Sequence, residues 1–305
     1  MRTTHRPYSE ELGDFFRLCR FVTDLTQLPR THTVWCIGRL VDWKYGIYEG
    51  KQAVADFCAR NAELWFDGFD ELIGFAVSES GGTDFTITTR LGARFLYAEL
   101  LDWVLAHWGG LGALSTDLTE HQDVEARALA GCGFQPDEPY FTRRFDLTRE
   151  PPQRFSLEPG FTIVDLQSHP DYRAQRILRH DAFTGGAMDA QRLAYELEFY
   201  NHSIRGPVYH APTDLCVMAP DGRFVAGCEA LIDTRNAEAE IERVCTHSEF
   251  RQRGFARAVI QECLLRLHRM GIRGAYITGY SQAALALYGS LGAEEEIRVV
   301  EYTRG

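Results

Sequence analysis

The segment Ala239–Ala256, AEIERVCTHSEFRQRGFA, concentrates the residue types that could do chemistry. A β-rich run, Ala239–Thr246, leads through a short turn into R-x-x-G-x-A (Arg251, Gly254, Ala256), and a long apolar-periodic stretch follows. A turn that opens a helix presents unpaired main-chain N–H groups and the positive end of the helix dipole, and small residues let phosphate oxygens come close. Arg251 and Arg253 add charge beside that turn, so phosphate binding is the chemistry it suits. Just upstream, Glu238, Glu240 and Glu242 alternate, which places three carboxylates on one face of a strand, where one of them could take a proton from a substrate. Cys245 has the opposite parity and is expected to point away, which argues against a cysteine nucleophile. Each feature also has an ordinary alternative: an arginine-rich turn before a helix, and a solvated strand end.

The elements that would hold these residues occur twice. Leu215–Ile232 reads as a hairpin turning at Asp221-Gly222, and Leu64–Glu79 has the same form around Asp67-Gly68. Phe255–Met270 is apolar at helical spacing and stops at Gly271; Phe95–Trp108 is its counterpart and stops at Gly109. An offset of 162 residues carries Gly271 onto Gly109 and Gly254 onto Gly92 without a gap. Each half then supplies a short strand, a second helix and a final strand (Thr142–Leu147; Arg298–Tyr302). Thr148–Gly160, with three prolines, separates the halves. These patterns predict an α/β (α+β) protein of two tandem domains, residues 1–150 and 161–305 joined by a linker at 151–160. Each domain should be a mixed, mostly antiparallel sheet flanked by helices.

The strand, turn and helix of the second half resemble the acyl-CoA site of the GCN5-related N-acetyltransferase (GNAT) superfamily, whose loop pattern is Q/R-x-x-G-x-G/A. The later segment S-x-x-A-x-x-L-Y-x-x-L-G-A (Ser281–Ala293) falls at the family's distance, and the architecture is similar to that of tandem members such as mycothiol synthase. The resemblance implies acetyl-CoA as co-substrate, its diphosphate held by the main chain of Arg251, Gln252, Arg253, Gly254, Phe255, Ala256 and Arg257. It also implies a splayed strand whose freed backbone at Val244, Cys245 and Thr246 pairs with the pantetheine arm. Tyr288 stands where the family places the acid that protonates the departing thiolate. Ser281 stands where the family has asparagine; it suits a helix N-cap. By gap-free count Glu240 matches the general-base glutamate of histone-acetylating members, and Glu238 an active-site glutamate of the mycothiol-synthase branch. Glu242 shares their face, and His247 is a further candidate, read as a loop residue. Tyr195, Glu196, Glu198, Phe199 and Tyr200 lie in the region that shapes the acceptor pocket, or on the core face of an ordinary helix.

In the first half the loop reads T-x-x-G-x-R: Thr89 replaces Arg251, Arg94 replaces Ala256, and Leu129 replaces Tyr288. That half is therefore expected to be a degenerate, non-catalytic copy, the alternative being that Arg94 binds the phosphate of a second nucleotide. The expected function is direct transfer of an acetyl group to a primary amine of a small, cationic molecule in a ternary complex. The competing reading is a protein that binds acyl-CoA or an amine without turnover.

Bulk properties agree with a packed protein: 45% hydrophobic and 25% charged residues, with a net charge of −11 that disfavours nucleic acid as a partner. Eight scattered cysteines and ten dispersed histidines lack metal-ligand spacing, so no metal is expected. No apolar run suits a secretion signal or a bilayer span, so a cytoplasmic protein with no membrane partner is expected, as monomer or homodimer.

Overall fold

Alternating and helical apolar patterns become strands and helices in a computed structural model that describes residues 3–27, 34–45, 54, 56–151 and 155–305. The chain forms two compact units: Met1–Tyr140 together with Arg298–Gly305, and Phe141–Ile297.

In the first unit β1 (Thr4–Pro7), α1 (Asp14–Thr26), α2 (Ile37–Tyr45) and α3 (Phe57–Arg60) precede the hairpin strands β2 (Ala62–Phe66) and β3 (Leu72–Val77), then β4 (Thr86–Thr89). β1–β2–β3–β4 pair antiparallel in that order. The β2–β3 turn falls where Asp67-Gly68 suggested, but Asp70 adopts its positive φ, 62°. A 3₁₀ turn at Leu91–Leu96 leads into α4 (Tyr97–Trp108), followed by β5 (Leu114–Thr119), α5 (Asp123–Gly131) and β6 (Gln135–Pro136). Trp65, Tyr97, Leu100, Leu129 and Phe134 centre this unit's core.

The second unit runs β7 (Tyr140–Asp146), β8 (Thr162–Asp165), α6 (Tyr172–Phe183), α7 (Ala190–Ser203), β9 (Leu215–Met218) and β10 (Phe224–Asp233). β11 (Glu238–Thr246), α8 (Phe255–Arg269), β12 (Gly274–Gly279) and α9 (Gln282–Gly289) complete it, and β13 (Glu295–Arg304) begins in it but from Arg298 onward belongs to the first unit. Its strands lie in the order β7-β12-β11-β10-β9-β8, with β11–β12 parallel and the others antiparallel. α8 buries Phe255, Val259, Leu264 and Leu267 against β9, β10 and β11. Val164, Leu178, Cys216 and Cys245 form a second cluster with α6. Cys216 and its neighbour Val217 belong to different clusters, so α6 and α8 cover opposite faces of the sheet.

The compact units depart from a cut at residues 151–160. β7, read as the last strand of the first half, pairs with β12 of the second unit (Tyr276↔Arg144). The end of β13 pairs with β5 of the first (Val300↔Leu118). Alternating apolar residues identify both strands but do not say which sheet edge each completes. Pro152, Gln153 and Arg154, inside the expected linker, lie outside the described residues. Among the described residues no helix is long and apolar enough to cross a membrane.

Candidate active site

The site in the second unit is made by a strand that leaves its neighbour. β11 pairs in parallel with β12 only from Glu238↔Gly274 to Glu240↔Tyr276, although β11 continues to Thr246 and β12 to Gly279. On its other edge β11 stays paired with β10, Glu229 facing Glu242 and Gly227 facing Cys245. One residue of β10, Cys228, lies between those pairs against two of β11, Arg243 and Val244, a bulge whose residue Arg243 has φ 52°. Beyond the bulge β11 and β10 remain paired, Ala226 facing Thr246, and His247 N–H donates to Val225 O at 2.9 Å. Main-chain groups alternate in direction along a strand, so those of Val244 and Thr246 face the opening.

The turn then supplies its amides. Gln252 (φ 62°) and Gly254 (φ 81°) are both left-handed, and Gly254 caps α8 without any side-chain cap. The first intrahelical bond runs from Ala258 N–H to Gly254 O, 3.0 Å, leaving the amides of Phe255, Ala256 and Arg257 directed out of the helix end. A Cβ built on Gly254 would meet open space, so main chain, not side chain, walls the cavity there. That cavity, about 520 Å³, is lined on the turn side by Arg251, Gln252, Gly254, Phe255, Ala256 and Arg257. Val244, Cys245 and Thr246 line it along the strand, and Ala283, Ala284, Leu287 and Tyr288 from α9. The arginine side chains are partly committed. Arg251 donates to Ala182 O at 3.2 Å, Arg257 to Ser290 Oγ at 2.6 Å, and Arg253 to Glu158 Oε1 at 2.9 Å. Arg253 also stacks on Phe161, Phe250 and Phe255, turned away from the cavity, so only its main chain could serve a ligand there.

Tyr288 is buried, and among the described residues its hydroxyl has no hydrogen-bond partner. Burial, with Glu242 nearby, pushes the phenol above its usual range, so it stays protonated at neutral pH. Gly279 lets the ring approach: a Cβ there would lie 3.1 Å from Tyr288 Cδ2. Ser281 caps α9 by accepting from Ala284 N–H at 3.2 Å and is absent from the cavity wall. His247 is likewise a loop residue, its Nδ1 3.5 Å from Asp181.

The three glutamates differ. Glu238 sits where β11 and β12 are still paired, accepts from Tyr276 OH at 3.2 Å, and is raised mainly by burial. Glu240 is at the last paired position; burial, reinforced by Glu242, pushes its carboxyl well above the usual range. Glu242 stands just before the bulge, inside the opened part. Cys245 corrects the parity argument, because the extra residue at Arg243 brings its side chain onto the same face as the glutamates. It packs beneath α6 with Leu178 and Cys216, and burial pushes its thiol up to about 11, so it remains a poor nucleophile for a different reason. Of the expected acceptor residues, Tyr200 is buried against Tyr209 OH (2.7 Å) and Glu196 is held by Arg192 (2.6 Å). The side chain of Phe199 lies outside the described set.

Sequence reading did not find Ala182 and Phe183, the end of α6, which also line the cavity. They lie more than sixty residues upstream of the turn, and only the fold brings them there. Among the described residues no cluster of three or more His, Cys, Asp or Glu could hold a metal ion.

The Acetyltransferase (GNAT) family matches residues 169–293. Those residues form a GNAT domain. No curated protein matches the chain by sequence. Solved structures agree over its whole length. A GCN5-related N-acetyltransferase from Sphaerobacter thermophilus has a TM-score of 0.65 at 16% identity, covering 99% of this chain and 95% of its own. A tandem GNAT protein from the clavulanic acid biosynthesis pathway has a TM-score of 0.69 at 14% identity, with 99% and 98% covered. A GNAT-family acetyltransferase from Colwellia psychrerythraea has a TM-score of 0.57 at 12% identity, with both chains fully covered. The fold is the tandem GNAT arrangement, and the family that residues 169–293 match is one of acetyltransferases.

Proposed function

We propose that the C-terminal GNAT domain moves an acetyl group from acetyl-CoA to a primary amine of a small molecule by direct attack in a ternary complex. The observation that carries this reading is the cavity of about 520 Å³ opened where β11 leaves β12 and lined on the turn side by Arg251, Gln252, Gly254, Phe255, Ala256 and Arg257. Two left-handed residues, Gln252 and Gly254 on either side of Arg253, and a bare helix start make an array of N–H groups suited to a diphosphate. Val244 and Thr246 would pair their main chain with the amides of the pantetheine arm. Acetyl-CoA would supply the thioester carbonyl that the amine attacks and the sulfur that departs.

The chain's own groups would handle the protons. An ammonium must lose one before its nitrogen can attack, and Glu240, with its proton affinity raised toward that of an amine, is assigned as the acceptor. Glu242 raises it further, and Glu238 is held back at the paired end of the strands. Tyr288, kept neutral by burial, donates to the leaving sulfur. Nitrogen–carbon bond formation, carbon–sulfur cleavage and both proton transfers then balance without a covalent enzyme intermediate.

The test is calorimetry with acetyl-CoA followed by a thiol-release assay over a broad panel of amines. Tight binding with release above the uncatalysed rate is expected. Binding without release for any amine would replace the enzyme by a ligand-sensing protein, and no binding would remove the reading altogether.

A further inference from the structure

The acyl-CoA cleft exists only because β11 departs from β12 after Glu240, and one unusual residue lies three positions further along β11, inside the opened part. Arg243 is a long-chain residue held at φ 52° in mid-strand, a conformation that glycine adopts readily and L side chains do not. Something must hold it there. Its guanidinium is ion-paired to Glu229, a buried carboxylate on the facing strand. The other oxygen of Glu229 accepts from Arg179 Nη2 at 2.8 Å, and Arg179 also reaches Asp214 Oδ1 at 3.2 Å. Asp214 in turn accepts from Gln175 Nε2 (2.6 Å) and Tyr209 OH (3.0 Å). Gln175, Arg179, Asp214 and Glu229 are all buried, so the bulge is tied through charge to α6 and to the start of β9.

We infer that Arg243 is a positioning residue, and that its buried ion pair with Glu229 keeps β11 bulged and so keeps the main chain of Val244 and Thr246 turned toward the donor cleft. Loss of the pair removes a buried contact that offsets the strained backbone at residue 243. The strand then relaxes to regular extended geometry and closes against the edge that β12 leaves unpaired beyond Tyr276. The inference extends the acetyl-CoA reading, but the bulge can be tested without ligand.

Two variants separate charge from backbone. Arg243→Ala loses the ion pair and keeps the strain; Arg243→Gly loses the ion pair and the strain together. Hydrogen–deuterium exchange of peptides covering residues 242–250 in the unliganded protein reads the bulge directly. Wild type and Arg243→Gly should exchange quickly. Arg243→Ala should exchange at least tenfold more slowly as the strands close, the opposite of what simple destabilisation does. Acetyl-CoA affinity by calorimetry should fall at least tenfold in Arg243→Ala and stay within about threefold in Arg243→Gly. If Arg243→Ala does not fold, Glu229→Gln takes its place with the same expected slowing. Exchange as fast as wild type in the variant used overturns the inference. Wild type that fails to bind acetyl-CoA while the exchange pattern holds overturns the functional reading alone.

Discussion

The chain contains a strand–turn–helix pattern twice, and the two turns are built differently. In the second unit eight residues, 247–254, separate β11 from α8, enough for two left-handed residues and a bare helix start. In the first, Arg90 alone separates β4 from the 3₁₀ turn that precedes α4. A 3₁₀ turn uses its early amides in tighter bonds, so no fan of free N–H groups forms. Arg94 then donates through Nε to buried Glu125 at 2.8 Å, so its charge is committed within the fold instead of waiting for a phosphate. Leu129, fully buried in that unit's core, stands in place of Tyr288. The difference teaches that helix and sheet packing can survive in a copy whose turn has been closed by a shortened connection, with an arginine at the position that the offset matches to Ala256.

The largest effect should come from transplanting that closure. Ala256→Arg places the first copy's arginine in the second copy's cavity and should weaken acetyl-CoA binding by on the order of 100-fold, as loss of two charge-assisted main-chain bonds would. Calorimetry measures it. A melting temperature close to wild type should accompany the loss, because Ala256 is a half-buried residue of the first turn and not a core side chain. Unchanged affinity would break the comparison.

Comparable in size is Tyr288→Phe, which copies the missing hydroxyl of Leu129 while keeping the ring. Turnover should fall by about 100-fold with little change in KM, the usual share of one general acid. Steady-state kinetics at neutral pH checks it, and unaltered turnover would remove Tyr288 from the acid role.

The reverse experiment belongs to the first unit. Arg94→Ala leaves Glu125 buried without its partner and should cost about 2 kcal/mol of stability, discounted because Arg94 itself is partly exposed. Denaturant unfolding reads this. Acetyl-CoA affinity should not move, and a change in it would mean that the first turn does hold nucleotide.

How much of this was legible depends on the range of the physics involved. The helix after Gly254, its apolar face and its stop at Gly271 are local, and so were readable from spacing. So was Gly222 in the β9–β10 turn, with φ 85°. The bulge at Arg243 was not, since an arginine carries no signal for a left-handed backbone and the cause, Glu229, lies on another strand. Its consequence misled the parity argument for Cys245. The gap-free offset of 162 between the copies slips by one residue at the helix ends, where Gly109 and Met270 are the C-caps, and fails at the turn, where connection length changes without disturbing helical periodicity. The exchange of β7 and β13 was hidden for the same reason: two strands of similar pattern can complete either sheet.

The smallest expected effect concerns the acidic face of β11, for which β4, reading TITT, offers no counterpart. The folded-state value of Glu240 is raised above its unfolded value, first by burial and then by Glu242. Its contribution to stability is therefore fully present below the usual glutamate range and is lost as pH rises through the raised value. Glu240→Gln cannot ionise and escapes that loss. The variant should thus gain melting temperature relative to wild type at pH 8 and show little difference near pH 4. The same substitution should abolish the acid limb of kcat/KM, where wild-type activity climbs as Glu240 gives up its proton. A stability difference that is equal at both pH values would mean that Glu240 is well solvated, leaving it no better placed than a surface carboxylate to receive the amine's proton.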